Sequence, residues 1–342
     1  MPRVDPLHLD GLQVDPPVLS APVAGFTDAI FRGIVRQFGG CGLPFTEMVW
    51  AGAWVRGHAA PTRLAGVADE PRPLGVQLWD READMIREAA RRLVDLRVSV
   101  IDLNFGCPKR RIMGRHAAGA SLLRDPATVG RLVGAAVAGS NGIPVTAKIR
   151  LGPSVVARTA AEVARSVEAN GAAAITVHGR SADQHYGEPS QWELIGEVVA
   201  AVKIPVIANG DIVDAPSARR ALAVSGAAGV MVARGALTRP WVFREIGAAL
   251  RGLPPPPAPT LAEQKRVLLA HHAAMVAREG DPWGTVLMRK FACRYFVGLP
   301  NTRAFREAVA RAADSAEFHA IVERFVPDDL LGMSVAESSD AA

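Results

Sequence analysis

Eight short apolar or β-branched runs, at residues 18–23, 43–48, 74–78, 98–103, 144–149, 173–177, 205–208 and 229–232, alternate with Ala-rich stretches of helical character. Most of these runs are continuous rather than alternating with polar residues, the pattern of parallel strands covered on both faces. Parallel neighbours need a crossover, and the helix between each pair supplies it. Eight β/α units in series predict an α/β chain closed as a (β/α)8 TIM barrel. A doubly wound sheet is the competing arrangement, but no Gly-x-Gly-x-x-Gly follows the first run.

After the eighth unit comes Leu253-Pro254-Pro255-Pro256-Pro257-Ala258-Pro259. Each proline fixes its own φ and restricts the residue before it, so this segment must run extended. It divides the chain into a catalytic barrel at 1–252, a linker at 253–259 and a small all-helical C-terminal domain at 260–330. Thr260 and Glu263 have capping-box spacing and open a helix expected to run to about Arg278. Gly280-Asp281-Pro282 ends it, and two or three further helices are expected before Phe325. The tail at 331–342 lacks apolar periodicity and is expected to be disordered.

A chain of 342 residues with 49% hydrophobic and 21% charged residues has the make-up of an ordinary soluble protein with a substantial core. Its net charge of +5 permits a polyanionic partner without demanding one. Cys41, Cys107 and Cys293 are widely spaced and form no Cys-x-x-Cys, so neither a disulfide framework nor a zinc site is indicated. That usage suits a reducing cytoplasm. Met1-Pro2-Arg3-Val4-Asp5-Pro6 has no apolar signal-like core, and the longest uncharged run, 132–147, is too short and too broken for a membrane span. His271-His272 lacks His-x3-His spacing and is expected on a helix surface, not at a metal.

In a barrel of this type the active site lies at the carboxyl ends of the strands. There the sequence places Pro22, Val23 and Ala24 after run one, Gln77 on run three, Asn104 and Cys107 on run four, and Lys148 on run five. His178 and Arg180 follow run six, Asn209, Gly210 and Asp211 run seven, and Ala233, Arg234 and Gly235 run eight. Polar groups gathered at one end cost free energy unless they share partners, which implies a common ligand. Gly210 and Gly235 let backbone N–H groups approach a phosphate, and Arg234 adds a charge for it. Gln77 and Lys148 have the donors and acceptors to meet the carbonyls and ring nitrogens of a flavin. A Schiff-base role for Lys148 is the alternative, but it leaves Gln77, Asn104 and Cys107 without roles. Cys107 on its own is as well explained by packing at a strand end.

Six strings in register carry a family resemblance: APVAGFTDAIFR (21–32), LNFGCPKRRIMGRHAAGASLLRDP (103–126), AKIRLG (147–152), VHGRSADQHYGEPSQW (177–192), IPVIANGDI (204–212) and MRKFACRYFVGLP (288–300). Together they resemble the tRNA-dihydrouridine synthase family. The resemblance implies an FMN at the barrel mouth, held by Pro22, Val23, Ala24, Gln77, Lys148, His178, Asn209, Gly210, Asp211, Ala233 and Arg234. It implies that Cys107 is the general acid and that Asn104 binds the target uracil. The family's reaction reduces C5=C6 of uridine in tRNA, with hydride from flavin reduced by NADPH (or NADH) to C6 and a proton from the cysteine to C5. A thiol suits this role, because it is largely protonated at neutral pH. The adjoining cations must then point away from the sulfur, toward phosphate. Lys148, Asn104 and Arg180 are candidates to stabilise charge developing at the uracil carbonyls.

Two positions depart from the family pattern: Val23 stands where Met is usual, and Ala233 where Gly often precedes the Arg. Neither touches the acid. The competing functions are a flavin barrel reducing a free pyrimidine, in the manner of a dihydroorotate dehydrogenase, and a catalytically silent tRNA-binding protein.

A uridine in folded tRNA must be extruded to reach a barrel mouth, so phosphate-gripping cations are expected around it. Lys109, Arg110, Arg111 and Arg115 form one basic cluster. Between Arg278 and Arg311, seven Lys and Arg, among them Arg289, Lys290 and Arg294, outnumber three acids. Tyr186 and Tyr295 are candidates to stack on bases. The expected partner is tRNA, with no membrane and no protein partner required, and the expected state is a monomer.

Overall fold

The computed structural model describes residues 3–57, 64, 66–296, 299 and 301–327. The expected disordered tail at 331–342 lies outside the described residues. The chain opens with an antiparallel hairpin, β1 (Leu7–Leu9) and β2 (Leu12–Val14). Asp10 and Gly11 turn it with φ of 43° and 91°, the left-handed pair that a two-residue hairpin requires. Its Leu7, Leu9 and Val14 pack on Leu19, Val100, Ala173 and Ile207 at the amino ends of the barrel strands. The hairpin therefore closes the floor opposite the mouth. It lies outside the eight expected runs, although Asp-Gly between apolar residues is a readable hairpin signal.

The barrel strands are β3 (Val18–Ser20), β4 (Leu43–Pro44), β5 (Val49–Trp50), β6 (Gly75–Trp79), β7 (Val100–Asn104), β8 (Val145–Arg150), β9 (Ala174–His178), β10 (Val206–Asn209) and β11 (Gly229–Val232). All their pairings are parallel, in the order β4-β3-β11-β10-β9-β8-β7-β6-β5. The two ends of that order meet on one segment, 43–50: β4 lies in the run expected at 43–48, and β5 lies just past its end. The segment's first half pairs with β3 and its second with β6, with Phe45 bridging to Gly75 between them. Pro44 has no N–H to give, so the run changes partner there. Eight runs thus close a barrel, as the periodicity predicts.

β6 outruns its apolar run by one residue on Trp79, and four strands do so on polar side chains, Asn104, Arg150, His178 and Asn209. Hydropathy underestimates these four because the residues facing the mouth are polar but still paired in the ladder. The expected strand at 18–23 stops at Ser20 instead, where the chain turns to Asp28, the side-chain cap of α1 (Ala29–Phe38).

Helices α2 (Ala51–Val55), α3 (Ala83–Asp95), α4 (Pro126–Gly139), α5 (Ala160–Ala169), α6 (Trp192–Ala201), α7 (Ala215–Ser225), α8 (Arg234–Thr238) and α9 (Val242–Leu250) complete the barrel units. The Pro-rich segment has no regular secondary structure, and Thr260 caps α10 (Leu261–Glu279) with the expected capping box. Then follow α11 (Trp283–Tyr295), α12 (Thr302–Val309) and α13 (Ser315–Phe325). These helices pack on the barrel through Phe291, which lies edge-on to Phe26 at 5.3 Å and stacks with Phe31 at 6.3 Å.

His271 and His272 do not lie on the helix surface. They are 1% and 2% exposed, because α11 packs over His271, and α11 and α13 pack over His272. His271 Nδ1 lies 2.7 Å from the Tyr295 hydroxyl, and His272 Nε2 lies 2.9 Å from Thr285 Oγ1. Burial pulls both imidazoles down to about 4, so they are neutral packing groups at neutral pH. Tyr295 is buried with His271 and has no face free for a base.

Barrel closure depends on Gly75, where an added Cβ would sit 2.2 Å from the Phe45 ring. We expect Gly75→Ala to destabilise the fold by about 1–3 kcal/mol through overpacking, read as a lower urea midpoint.

Candidate active site

The strand ends enclose a cleft of about 890 Å³ at the mouth. Pro22, Val23, Ala24, Met48 and Met231 supply apolar wall, and Gln77, Asn104, Cys107, Lys148, Arg150, His178 and Asn209 supply polar groups. Period-two alternation puts Lys148 and Arg150 of β8, and Asp102 and Asn104 of β7, on common faces. A shallower hollow of about 450 Å³ lies outside the barrel among Asp84, Arg87, Glu88 and Arg91. It gathers exposed charges and none of the strand-end groups, so the mouth is the site.

Cys107 is fixed through its backbone. Asn104 Oδ1 accepts from the amides of Gly106 at 3.1 Å and Cys107 at 3.0 Å. Arg150 Nε donates to Gly106 O at 3.0 Å, and the Ala120 amide donates to Cys107 O at 3.1 Å. Gly119, at φ 61°, comes so close that a Cβ there would meet Cys107 O at 2.7 Å. The thiol faces the cleft while Lys109, Arg110 and Arg111 are exposed. Lys109 reaches the rim of the cleft; Arg110 and Arg111 do not line it.

Lys148 Nζ donates to Asn209 Oδ1 at 2.8 Å, and Asn209 Nδ2 donates to Met231 O at 2.8 Å. Burial, helped by Arg150, lowers the Lys148 ammonium to about 8. His178 is pushed well below its ordinary value by burial and by Lys148, Arg150, Arg180 and Arg234, and so is neutral. Arg180 Nη1 lies 3.1 Å from His178 Nε2. A guanidinium only donates, so Nε2 accepts and the ring proton sits on Nδ1.

Arg180 itself is 1% exposed and does not line the cleft. Its Nε donates to Glu188 O at 2.7 Å and its Nη2 to Asp211 Oδ2 at 2.6 Å. Asp211 also accepts from Arg234 Nη2 at 2.9 Å, so Arg180 braces the aspartate that holds Arg234. The buried position therefore makes Arg180 a support of the rim. Tyr186 is 56% exposed and carries Arg234 over its ring at 4.6 Å. Gly210, at φ 112°, approaches so closely that a Cβ would meet Ser190 Oγ at 2.4 Å. Asp211 and Ala233 also line the cleft.

From the C-terminal helices, α11 brings Arg294 to the cleft wall. Arg294 and Lys290 each sit 5.4 Å from the Phe26 ring centroid, gripping the loop after β3. Arg289 points elsewhere, its Nε donating to Ala312 O at 2.9 Å. Arg150 and Asp102 belong to the site without being among the residues expected from sequence. One charge inside an apolar run and one just past the end of another, each two residues from an expected site residue, are the signal that could have found them.

A family model described as dihydrouridine synthase (Dus) matches residues 19–329. The chain belongs to the dihydrouridine synthase family. A probable tRNA-dihydrouridine synthase of Rhodobacter capsulatus is 41% identical over 92% of this chain and 96% of its own length. The tRNA-dihydrouridine synthase B of Xanthomonas axonopodis pv. citri is 36% identical over 98% of this chain and 100% of its own. A probable tRNA-dihydrouridine synthase of Mycobacterium tuberculosis is 34% identical over 98% and 90%. Among solved structures, a variant of NCR from Zymomonas mobilis shares the fold with a TM-score of 0.51 at 15% identity, over 75% of this chain and 93% of that one. In this family member the Arg180–Asp211–Arg234 group separates buried from exposed pairing. We expect Arg180→Leu to cost about 2–3 kcal/mol by removing the buried donor to Asp211 and to Glu188 O. Arg234→Leu, at a side chain 48% exposed, should cost at most about 1 kcal/mol in the same urea titration.

Proposed function

We propose that this protein reduces the C5=C6 bond of uridine in tRNA to 5,6-dihydrouridine, with FMN as cofactor and NADPH or NADH as reductant. The carrying observation is that the Cys107 thiol and a floor of hydrogen-bond donors share one cleft. The cleft fits a flavin: apolar wall from Pro22, Val23 and Ala24, donors from Gln77 and Lys148, and a cationic end at Arg234 beside Gly210. A volume of this order is what cofactor sites occupy.

Pro22, Val23, Ala24, Gln77, Lys148, His178, Asn209, Gly210, Asp211, Ala233 and Arg234 would hold the cofactor. Bound FMN, once reduced, supplies hydride to C6 of the uracil. Cys107 donates its Sγ proton to C5 and takes it back from water after product leaves. Asn104 holds the Cys107 loop in place and stands beside the uracil. The Lys148 ammonium favours negative charge developing in the cleft. Arg150 fastens the Cys107 loop, so the thiol cannot drift from its partner carbon.

The RNA would lie across the mouth, its phosphates against exposed Lys109, Arg110, Arg111 and Arg115 on one side and Lys290 and Arg294 on the other. Tyr186 is exposed at the rim, where a base could stack on it. In this reading residues 1–252 form the catalytic barrel, and the helices after the 253–259 linker add both an RNA grip and one cleft wall. A free pyrimidine would have no use for these cations. The site acts as a monomer in the cytoplasm. No helix among the described residues is long and apolar enough to cross a membrane.

Purified protein should be yellow and release FMN on denaturation. Cys107→Ala should keep flavin and tRNA binding yet lower dihydrouridine formation about 10²–10⁴-fold, measured by mass spectrometry of digested tRNA. Near-native turnover would remove Cys107 as the acid.

The Lys148 amine gives a pH signature. It is charged below about 8 and loses its charge as pH rises through that value. FMN affinity should therefore weaken above about pH 8, and Lys148→Met should give weaker binding that no longer changes there, both read from flavin fluorescence.

A further inference from the structure

Asp102 lies on β7 between Ile101 and Leu103, 1% exposed, below the cleft and outside the proposed chemistry. Cross-strand register makes Gln77 of β6 and Thr146 of β8 its partners. Both donate to it: Gln77 Nε2 to Oδ2 at 2.6 Å and Thr146 Oγ1 to Oδ1 at 2.7 Å. Burial raises this carboxyl to about 6, with those two bonds and Lys148 opposing the rise, and both bonds run into it, so Asp102 acts here as the acceptor of a carboxylate.

An ionised carboxylate only accepts. Gln77 must therefore turn its NH2 group toward Asp102 and its Oε1 away. That oxygen accepts from Asn104 Nδ2 at 2.7 Å. With its NH2 committed, Asn104 turns Oδ1 to the loop and takes the amides of Gly106 and Cys107. A flipped Gln77 would set two NH2 groups face to face and turn Asn104 with it. The two backbone amides would then lose their acceptor.

We propose that Asp102 is a positioning residue for the thiol: its carboxylate fixes which way Gln77 and Asn104 point, and so where the Cys107 loop sits. The proposal rests on the reading of Cys107 as proton donor only for its functional weight. The relay itself is testable without turnover.

Hydrogen exchange at the Gly106 and Cys107 amides, followed in FMN-free protein, reads the last link directly. Asp102→Leu removes the terminal acceptor and should lower protection at both amides about tenfold, the scale of one lost hydrogen bond. Gln77→Glu sets two carboxylates against each other and should do the same. Asp102→Asn combined with Gln77→Glu should restore native protection. In that pair the new carboxamide at position 102 donates to the new carboxylate at position 77, which still accepts from Asn104. The carboxamide oxygen at position 102 meanwhile keeps the bond from Thr146. Because each single change alters packing as much as the pair does, a role in packing alone would not be rescued.

Native protection in both single variants, or a double variant as exposed as Gln77→Glu, overturns the proposal. Should Asp102→Leu fail to fold, the Gln77→Glu and double-variant comparison decides. With FMN bound, Asp102→Leu should also slow flavin reoxidation by tRNA about tenfold or more. A native holoenzyme that NADPH reduces but tRNA does not reoxidise would instead sink the proposed function and leave the relay standing.

Discussion

A closed parallel sheet delivers the carboxyl end of every strand to one mouth, and the whole site depends on that geometry. No strand carries more than a few functional atoms, yet Gln77, Asn104, Lys148, His178 and Asn209 reach one cleft because their strands run the same way. Closure rests on the run from Leu43 to Trp50, which pairs with β3 by its first half and with β6 by its second. Without that shared strand the β6 and β7 side of the cleft, carrying Gln77, Asn104 and Cys107, would not be held opposite Pro22 and Val23.

Charge inside this mouth is one-sided. Lys148, Arg150 and Arg234 face the cleft, with Arg180 just beneath it. The carboxylates that balance them are already engaged, Asp102 buried under Gln77 and Asp211 at the rim between two guanidiniums. Cations in excess over carboxylates, with each carboxylate already paired, form a site prepared for an electron-rich or anionic ligand. Burial, with the same cations, keeps His178 neutral, so it contributes a directed Nδ1–H and no further charge.

The C-terminal helices share in this site as well as packing beside it. Arg294 forms cleft wall, and with Lys290 it grips Phe26 on the loop after β3. RNA phosphates drawn to α11 would therefore act on the loop that also carries Pro22, Val23 and Ala24. His271 of α10 and Tyr295 of α11, a buried hydrogen-bonded pair, tie the two helices together.

Local chemistry determined much of this protein. Continuous apolar runs specify buried parallel strands, the Pro-rich segment and the Thr260 capping box specify where the last helices begin, and residues just past each run specify the mouth. Most of the side chains singled out in that way line one cleft, from Pro22 to Arg294. Burial and partner choice were decided only by the tertiary structure. Nothing near His271-His272 in sequence says that α11 and α13 pack over this side of α10, and nothing beside Arg180 says that Glu188 and Asp211 fold back to occupy it. Asp102 makes the same point inside a strand, since its neighbours in sequence are apolar and its partners are on other strands. Periodicity and spacing are properties of a segment, whereas exposure, hydrogen-bond direction and charge state depend on which distant segments arrive beside it.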